Sequence, residues 1–168
     1  MNEVNPDLRS WALDFYARAG VAPALLALQD ECGQDVLLLL TVTWLWLQGR
    51  AVPVQKLNWL LRQHSPWQQQ IIEPLRLVRR RLKQDPAAPA LYQQAKRLEQ
   101  DAELLQMVRL QDWALAVAEA GGGKLREHLL ALSSVQQPIC GERLENLLER
   151  YAAAAEAAAQ IGFSSPAG

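Results

Sequence analysis

The 168-residue sequence has few of the residues that build metal centres or imidazole-based active sites: two cysteines, Cys32 and Cys140, and two histidines, His64 and His128. The cysteines fit no metal-ligand spacing, and two are too few for a disulfide scaffold. We therefore expect two reduced, mostly buried thiols. Neither histidine has a second histidine four residues away, as the paired zinc ligands of a helical metalloprotease would. The sequence predicts no metal site.

A surplus of charge of either sign is also missing. The chain has 17 Lys and Arg against 18 Asp and Glu, a formal net charge of -1, and a pI near 6.1. Domains that bind nucleic acid through bulk electrostatics usually have a pI above about 9. Nucleic acid is therefore possible only as a local contact, and it is not the favoured partner.

The sequence has no apolar run long enough to cross a membrane. The longest lies in "DVLLLLTVTWLWLQGR", where the twelve residues Val36–Leu47 are apolar or threonine and are closed by Asp35 and Gln48. A spanning helix needs about 20 apolar residues. The opening "MNEVNPDLRSW" has no basic segment followed by an apolar run, as an export signal would. These features predict a cytoplasmic protein that has no membrane contact.

A short helix that is apolar on all sides belongs in the centre of a soluble core. Trp44 and Trp46 point about 200° apart on such a helix, so different neighbours must cover them. Elsewhere, proline and glycine divide the chain into amphipathic segments without a clear strand pattern. The fold predicted is all-α: a single-domain helical bundle of six to eight helices around a central apolar helix at about 35–48. The domain spans 1–162, and 163–168 form a disordered tail.

Two segments refine this prediction. In "HSPW", Ser65 is expected to cap a new element that Pro66 opens, and Pro74 is expected to kink or divide the helix that follows. The longest periodic segment, 88–118, carries an apolar stripe that should pack on the bundle. Its members are Leu91, Ala95, Leu98, Ala102, Leu105, Trp113 and Ala116.

The stretches "WALDFYARAGVAPALLALQDECGQDVLLLLTVTWLW" and "WQQQIIEPLRLVRRRLK" resemble a family of small, uncharacterised, all-helical proteins of proteobacteria, over about the first half of the chain well and over the rest loosely. The resemblance implies a bacterial setting. It implies no activity and no site residues.

The motifs that suggest chemistry do not meet its requirements. A phosphate-binding loop has two glycines separated by four residues, followed by Lys and then Ser or Thr. "AGGGKL" has neither this glycine spacing nor the Ser or Thr, so it is interpreted as a helix-terminating turn. Glu99 and Glu103 share one helix face and could contribute to a metal or acid/base site, but a solvated face is the expected outcome. The sequence predicts no catalytic residues and no cofactor.

One cationic feature stands out in "PLRLVRRRLKQ". Arg76, Arg79, Arg80 and Lys83 fall within about 100° of one another on a helix, beside an apolar face, and are the candidate binding residues. The planar guanidinium group favours carboxylate and phosphate partners. The alternative is a solvated face neutralised by nearby acidic residues.

Three functions remain open. The leading hypothesis is a non-catalytic macromolecular interaction module that uses this basic face to bind an acidic protein or another anionic partner. The alternatives are a small-ligand or lipid-binding helical bundle, since bundles host such pockets, and an enzyme with an unrecognised site. The sequence leaves the oligomeric state open.

Overall fold

A computed structural model describes residues 5–161. Its eight α-helices are α1 (Leu8–Tyr16), α2 (Val21–Cys32), α3 (Val36–Leu47), α4 (Val54–Trp67), α5 (Glu73–Lys83), α6 (Pro89–Val117), α7 (Leu125–Gln136) and α8 (Arg143–Gln160). A π-helical segment, Gln68–Ile72, joins α4 to α5, and two short antiparallel strands, β1 (Arg50–Ala51) and β2 (Glu119–Ala120), pair Arg50 with Ala120. The all-α prediction is confirmed. The predicted tail at 163–168 lies outside the described residues.

Helix α3 is the centre of the bundle, as predicted. Asp35 caps it by accepting a hydrogen bond from the Leu38 N–H, and every residue from 37 to 45 is buried. Helices α1, α2, α6 and α7 pack around it. The Trp44 indole donates to the Pro6 carbonyl and the Trp46 indole to the Gly123 carbonyl, so the two rings have the different neighbours that their spacing requires. None of the described helices is both long and apolar enough to cross a membrane.

The buried threonine hydroxyls of α3 are satisfied within the bundle. Thr41 donates to the Leu37 carbonyl and Thr43 donates to the Leu39 carbonyl. Because the Thr43 hydrogen is used in this way, the Tyr151 hydroxyl is the donor in the 2.7 Å bond between the two side chains. This bond connects α8 to α3 through the core.

Helices α4 and α5 are continuous through the π segment, so the predicted break at Ser65 is wrong. Pro66 lies inside α4, and the Ser65 hydroxyl donates to the Leu61 carbonyl instead of capping a new helix. Pro74 follows directly after the π segment, in the first turn of α5. The wider π turn removes the regular α-helical hydrogen bonding just where Pro74 could not contribute an N–H.

Cys32 and Cys140 form a disulfide, and the prediction of two free thiols is therefore wrong. Cys32 is the last residue of α2, and Cys140 lies in the loop before α8. The fold brings their Cα atoms to 4.6 Å although 108 residues separate them. Spacing along the sequence carries no information on such a long-range contact.

Helices α5 and α6 form a hairpin whose buried face differs from the predicted stripe. Ala95 and Ala102 are buried, but the three leucines of the stripe are exposed: Leu91, Leu98 and Leu105. Glu99 and Gln106 are buried instead. Helix α5 itself has no buried residue, and its main contacts are with α6 and the π segment.

Candidate functional site

Two neighbouring clefts lie between the α5–α6 hairpin and helices α1, α2 and α3. The larger has a volume of about 440 Å³, with apolar side chains of α1, α2 and α3 on one wall and charged side chains of α5 and α6 on the other. The smaller, about 380 Å³, lies between the α2–α3 connection and the π segment with α5. We call them the apolar cleft and the polar cleft. Arg76 lines both.

Arg76 and Arg79 reach across the hairpin to two carboxylates of α6. Arg76 donates from Nε to Glu99 and from Nη2 to Glu103, each at 3.1 Å, and Arg79 donates from Nε to the other oxygen of Glu99. The Glu99 side chain is only 8% exposed. The expectation that Glu99 and Glu103 lie on a solvated face is therefore wrong, because arginines 20 to 27 residues away neutralise them.

Burial is the main influence on the pKa values of Glu103 and of the neighbouring Tyr16. Burial raises the pKa of Glu103, and the negative charge of Glu99 adds to the effect against the opposing influence of Arg76. Burial also raises the pKa of the Tyr16 hydroxyl, with a contribution from Glu103. Glu103 is thus a desolvated carboxylate at the edge of the apolar cleft.

The four candidate binding residues lie in two different environments. The Arg76 and Arg79 side chains are 16% and 23% exposed and are held by glutamates. Arg80 is 55% exposed and lies 3.4 Å from Asp30, a surface pair. Lys83 is fully on the surface at the end of α5. A binding role for these residues stays a prediction.

A buried polar network that the sequence did not reveal lies beneath the polar cleft. His64, 1% exposed, points its Nε2 at Asp35 at 2.8 Å and its Nδ1 at the Gln106 amide nitrogen at 3.0 Å. Since the Gln106 amide offers Nδ1 a donor, Nε2 carries a hydrogen and donates it to Asp35. Both ring nitrogens are therefore occupied, which suits a structural role better than proton transfer.

Asp35 is held as a carboxylate by this network. Burial acts to raise its pKa, but His64, the Leu38 N–H and Arg76 together outweigh burial, and the pKa lies below its usual value. Asp35 was recognisable from the sequence as the residue that precedes the apolar run. The pairing with His64, 29 residues away, was not.

The described residues contain no cluster of three or more His, Cys, Asp or Glu side chains placed to hold a metal ion. The two clefts are suited to binding, because they combine an apolar wall, paired charges and a polar lining. The fold and these clefts define an all-α protein with a cleft between its central helix and a charged hairpin.

Residues 7–110 match a protein family described as "Protein of unknown function (DUF2390)". The match covers more than half of the chain, so the chain belongs to this family. No curated protein and no solved structure matches the chain. The match extends from the cap of α1 to the third quarter of α6 and includes every residue that lines the two clefts.

Proposed function

We propose that the protein is a non-catalytic interaction module that binds an acidic protein through the end of the α5–α6 hairpin. The observation that carries the proposal is the charge of residues 79–97, which include six cations and one carboxylate, Asp85, in a chain whose formal net charge is -1. We call this segment the basic hairpin end. Its cations are Arg79, Arg80, Arg81, Lys83, Lys96 and Arg97.

The availability of these cations supports the proposal. All of them except Arg79 are exposed. Arg80 makes only the surface pair with Asp30, and such exposed pairs contribute little stability. Within residues 5–161, no ion pair engages Arg81, Lys83, Lys96 or Arg97. A cluster of uncommitted cations attracts a negatively charged surface and steers its approach.

An acidic protein fits this surface better than a nucleic acid does. With +5 on residues 79–97, the remainder of the chain carries -6. A long polyanion would meet that negative remainder, whereas a compact acidic patch could contact the basic hairpin end alone. Specific nucleic-acid binding usually involves a domain with a high overall positive charge.

The test compares two triple variants with the same change in net charge. Arg80→Gln, Arg81→Gln and Lys83→Gln neutralise the basic hairpin end, while Arg9→Gln, Arg62→Gln and Arg150→Gln neutralise exposed cations elsewhere. Binding to a fluorescent polyglutamate peptide and to duplex DNA is measured by anisotropy at low and moderate salt. The hairpin variant should bind the peptide about tenfold more weakly or worse, equivalent to roughly 1.4 kcal/mol.

The control variant should keep most of the peptide affinity, since its cations are distributed over the molecule. Equal loss in both variants would show that only net charge matters and would contradict a defined docking surface. Tighter binding of DNA than of the peptide, lost in the hairpin variant alone, would replace the acidic protein by a nucleic acid.

A bacterial, cytoplasmic setting is part of the proposal, and the disulfide is the feature that tests it. Cytosolic thiols are normally kept reduced, so a Cys32–Cys140 bond is unusual there. Fractionation of the bacterial cell, with thiol alkylation at lysis, decides the question. Recovery of the oxidised protein from the periplasm would contradict the cytoplasmic setting.

The apolar cleft favours a second candidate function, the binding of a small amphipathic molecule. Its volume of about 440 Å³ falls in the range of about 300–1,000 Å³ that small-molecule sites occupy. Leu13 and Leu26 at its edge are 58% and 43% exposed, an apolar surface that a ligand would cover. Mass spectrometry of organic extracts should detect a co-purified ligand from the wild type, and Leu26→Trp should reduce its amount. Extracts that contain no ligand in either sample would remove this candidate.

A further inference from the structure

The polar cleft contains a buried amide group that lacks one hydrogen-bond partner. Gln34 is 1% exposed, and its Oε1 accepts from the Ser133 hydroxyl at 2.8 Å and from the Gln136 amide at 3.2 Å. Its Nε2 has no partner. Rotating the amide by 180° would not help, because the Gln34 nitrogen would then face the Gln136 amide nitrogen, which can only donate. The Gln136 amide cannot turn either, since its oxygen accepts from the Asp35 N–H at 2.8 Å.

A second amide that lines the same cleft has the complementary defect. Gln68, the first residue of the π segment, has a buried Oε1 with no partner. Gln34 and Gln68 both line the polar cleft, and they are not bonded to each other. No side-chain hydrogen bond among the described residues holds Gln68, so its side chain can rotate. The cleft thus offers one unused amide N–H and one unused amide C=O, and buried groups of this kind are normally paired.

Every charged group of the polar cleft except Glu73 is already paired with another of these groups or with a neighbour. Asp35 bonds to His64, Arg76 to the two glutamates of α6, and Asp30 to Arg80. Glu73 is exposed at the edge. The unused hydrogen-bonding capacity within the cleft is therefore neutral. A charged ligand would have to separate existing ion pairs, whereas a neutral ligand would not.

We propose that the polar cleft binds a small neutral molecule that presents adjacent N–H and C=O groups, as a carboxamide or lactam does, with its carbonyl on Gln34 Nε2 and its N–H on Gln68 Oε1. The volume of about 380 Å³ accommodates a ligand of this size. This site adjoins the basic hairpin end, with which it shares Arg80, but its occupation does not require the macromolecular partner proposed above. Binding requires rotation of Gln68, because both amide atoms are covered in the unliganded arrangement.

The test uses uracil as the probe and 1,3-dimethyluracil as its matched control, since methylation removes both N–H donors and keeps the carbonyls. Titration of the ¹⁵N-labelled full chain is followed through the side-chain amide signals of the glutamines. Uracil should shift the signals of Gln34 and Gln68 in a saturable way, and the dimethyl compound should shift neither. Equal shifts with both compounds, or none with uracil at millimolar concentration, would overturn the proposal.

Variants at the π segment connect the binding to Gln68. Gln68→Met should weaken uracil binding at least tenfold and leave the thermal midpoint unchanged or higher, because it removes an unpaired buried acceptor. Gln70→Met changes an exposed glutamine of the same segment and should bind uracil like the wild type. Full affinity in Gln68→Met would overturn the assignment, as would equal losses in the two variants.

Discussion

Asp35 has two structural roles in one side chain and also lines the polar cleft. It caps α3 through Oδ1, accepts from His64 through Oδ2, and lies next to Gln34 at the polar cleft. The preference for aspartate before a helix was visible in the sequence, because a capping carboxylate is a local feature. The buried histidine that it stabilises depends on the packing of α4 against α6, which no local pattern encodes.

Replacing Asp35 by Asn should reduce the free energy of unfolding by roughly 1–3 kcal/mol at pH 7, because the cap geometry remains while the charge-assisted bond to His64 is lost. The lowered pKa of Asp35 means that its carboxylate stabilises the fold above the pKa of the unfolded chain. This contribution to stability is lost as the pH falls through the pKa that Asp35 has in the folded protein. Denaturant unfolding at pH 7 and at several values below about 4 should therefore show a smaller acid-induced loss in Asp35→Asn than in the wild type.

The matched control is Asp7→Asn, which makes the same change at the exposed cap of α1, where Asp7 accepts from the Ser10 N–H at 2.8 Å. Its effect should be a few tenths of a kcal/mol. Similar losses of unfolding free energy in both variants would show that capping alone accounts for the effect of Asp35→Asn.

Arg76 illustrates what a helical wheel can and cannot predict. The wheel places Arg76, Arg79 and Arg80 together on one side of α5, and the structure agrees that all three reach the clefts. A helical wheel of α5 carries no information about α6, so it cannot show that Glu99 and Glu103 face these arginines. The difference decides function, because a neutralised and half-buried arginine holds the hairpin together and an exposed one is available to a partner.

Arg76→Ala should destabilise the protein by roughly 2–4 kcal/mol, because it leaves a largely buried carboxylate at Glu103 without its partner. Arg80→Ala, the control, should change stability by no more than about 0.5 kcal/mol, since its pair with Asp30 is on the surface. Chemical denaturation of both variants at pH 7 makes the comparison. Equal effects would contradict the division of these arginines into structural and available groups.

The pH dependence adds a signed test. The pKa of Glu103 is already raised in the folded state, and loss of Arg76 should raise it further. A carboxyl with a raised folded pKa binds more protons in the folded than in the unfolded state, so stability falls as the pH rises through that window. The loss of unfolding free energy that Arg76→Ala causes should therefore be smaller at pH 5 than at pH 7.

At the scale of helices, local signals predicted the boundaries of α3 and α6 well, placed a false boundary at Ser65, and predicted buried faces poorly. The apolar run at 36–47 coincides with α3, and the long segment at 88–118 differs from α6 by one residue at each end. Proline, glycine and capping residues mark such ends directly. The buried side of α6 was missed because Glu99 and Gln106 occupy interior positions that only their partners in α4 and α5 make tolerable.

The Cys32–Cys140 bond joins α2 to the α7–α8 loop, beside a hydrogen bond from the Ile139 N–H to the Cys32 carbonyl. Reduction of the wild type should lower the free energy of unfolding by about 2–4 kcal/mol, because the bond closes a long loop in the unfolded chain. Cys140→Ala should show a similar loss without reductant and no further change with it. A shift of the unfolding midpoint by reductant in Cys140→Ala would mean that the reductant acts elsewhere.

Across the whole molecule, burial is distributed unevenly. Helix α3 is buried along nearly its whole length, whereas α5 has no buried residue and is held by α6, the π segment and two arginines. Regions with few buried apolar contacts open at lower free energy than the core does. The clefts lie beneath this weakly held helix, so access to them does not require disruption of the core.

Native-state hydrogen exchange should resolve this difference in stability. Amides of α3 should exchange only through global unfolding, with a free energy equal to that from denaturation, while amides of α5 should exchange through a local opening several kcal/mol lower. Arg76→Ala should accelerate exchange in α5 by more than it does in α3, since it removes the contacts that hold α5 to Glu99 and Glu103. If α5 and α3 exchanged at the same free energy in the wild type, the hairpin and the core would unfold as one unit, and entry to the clefts would depend on side-chain rotation alone.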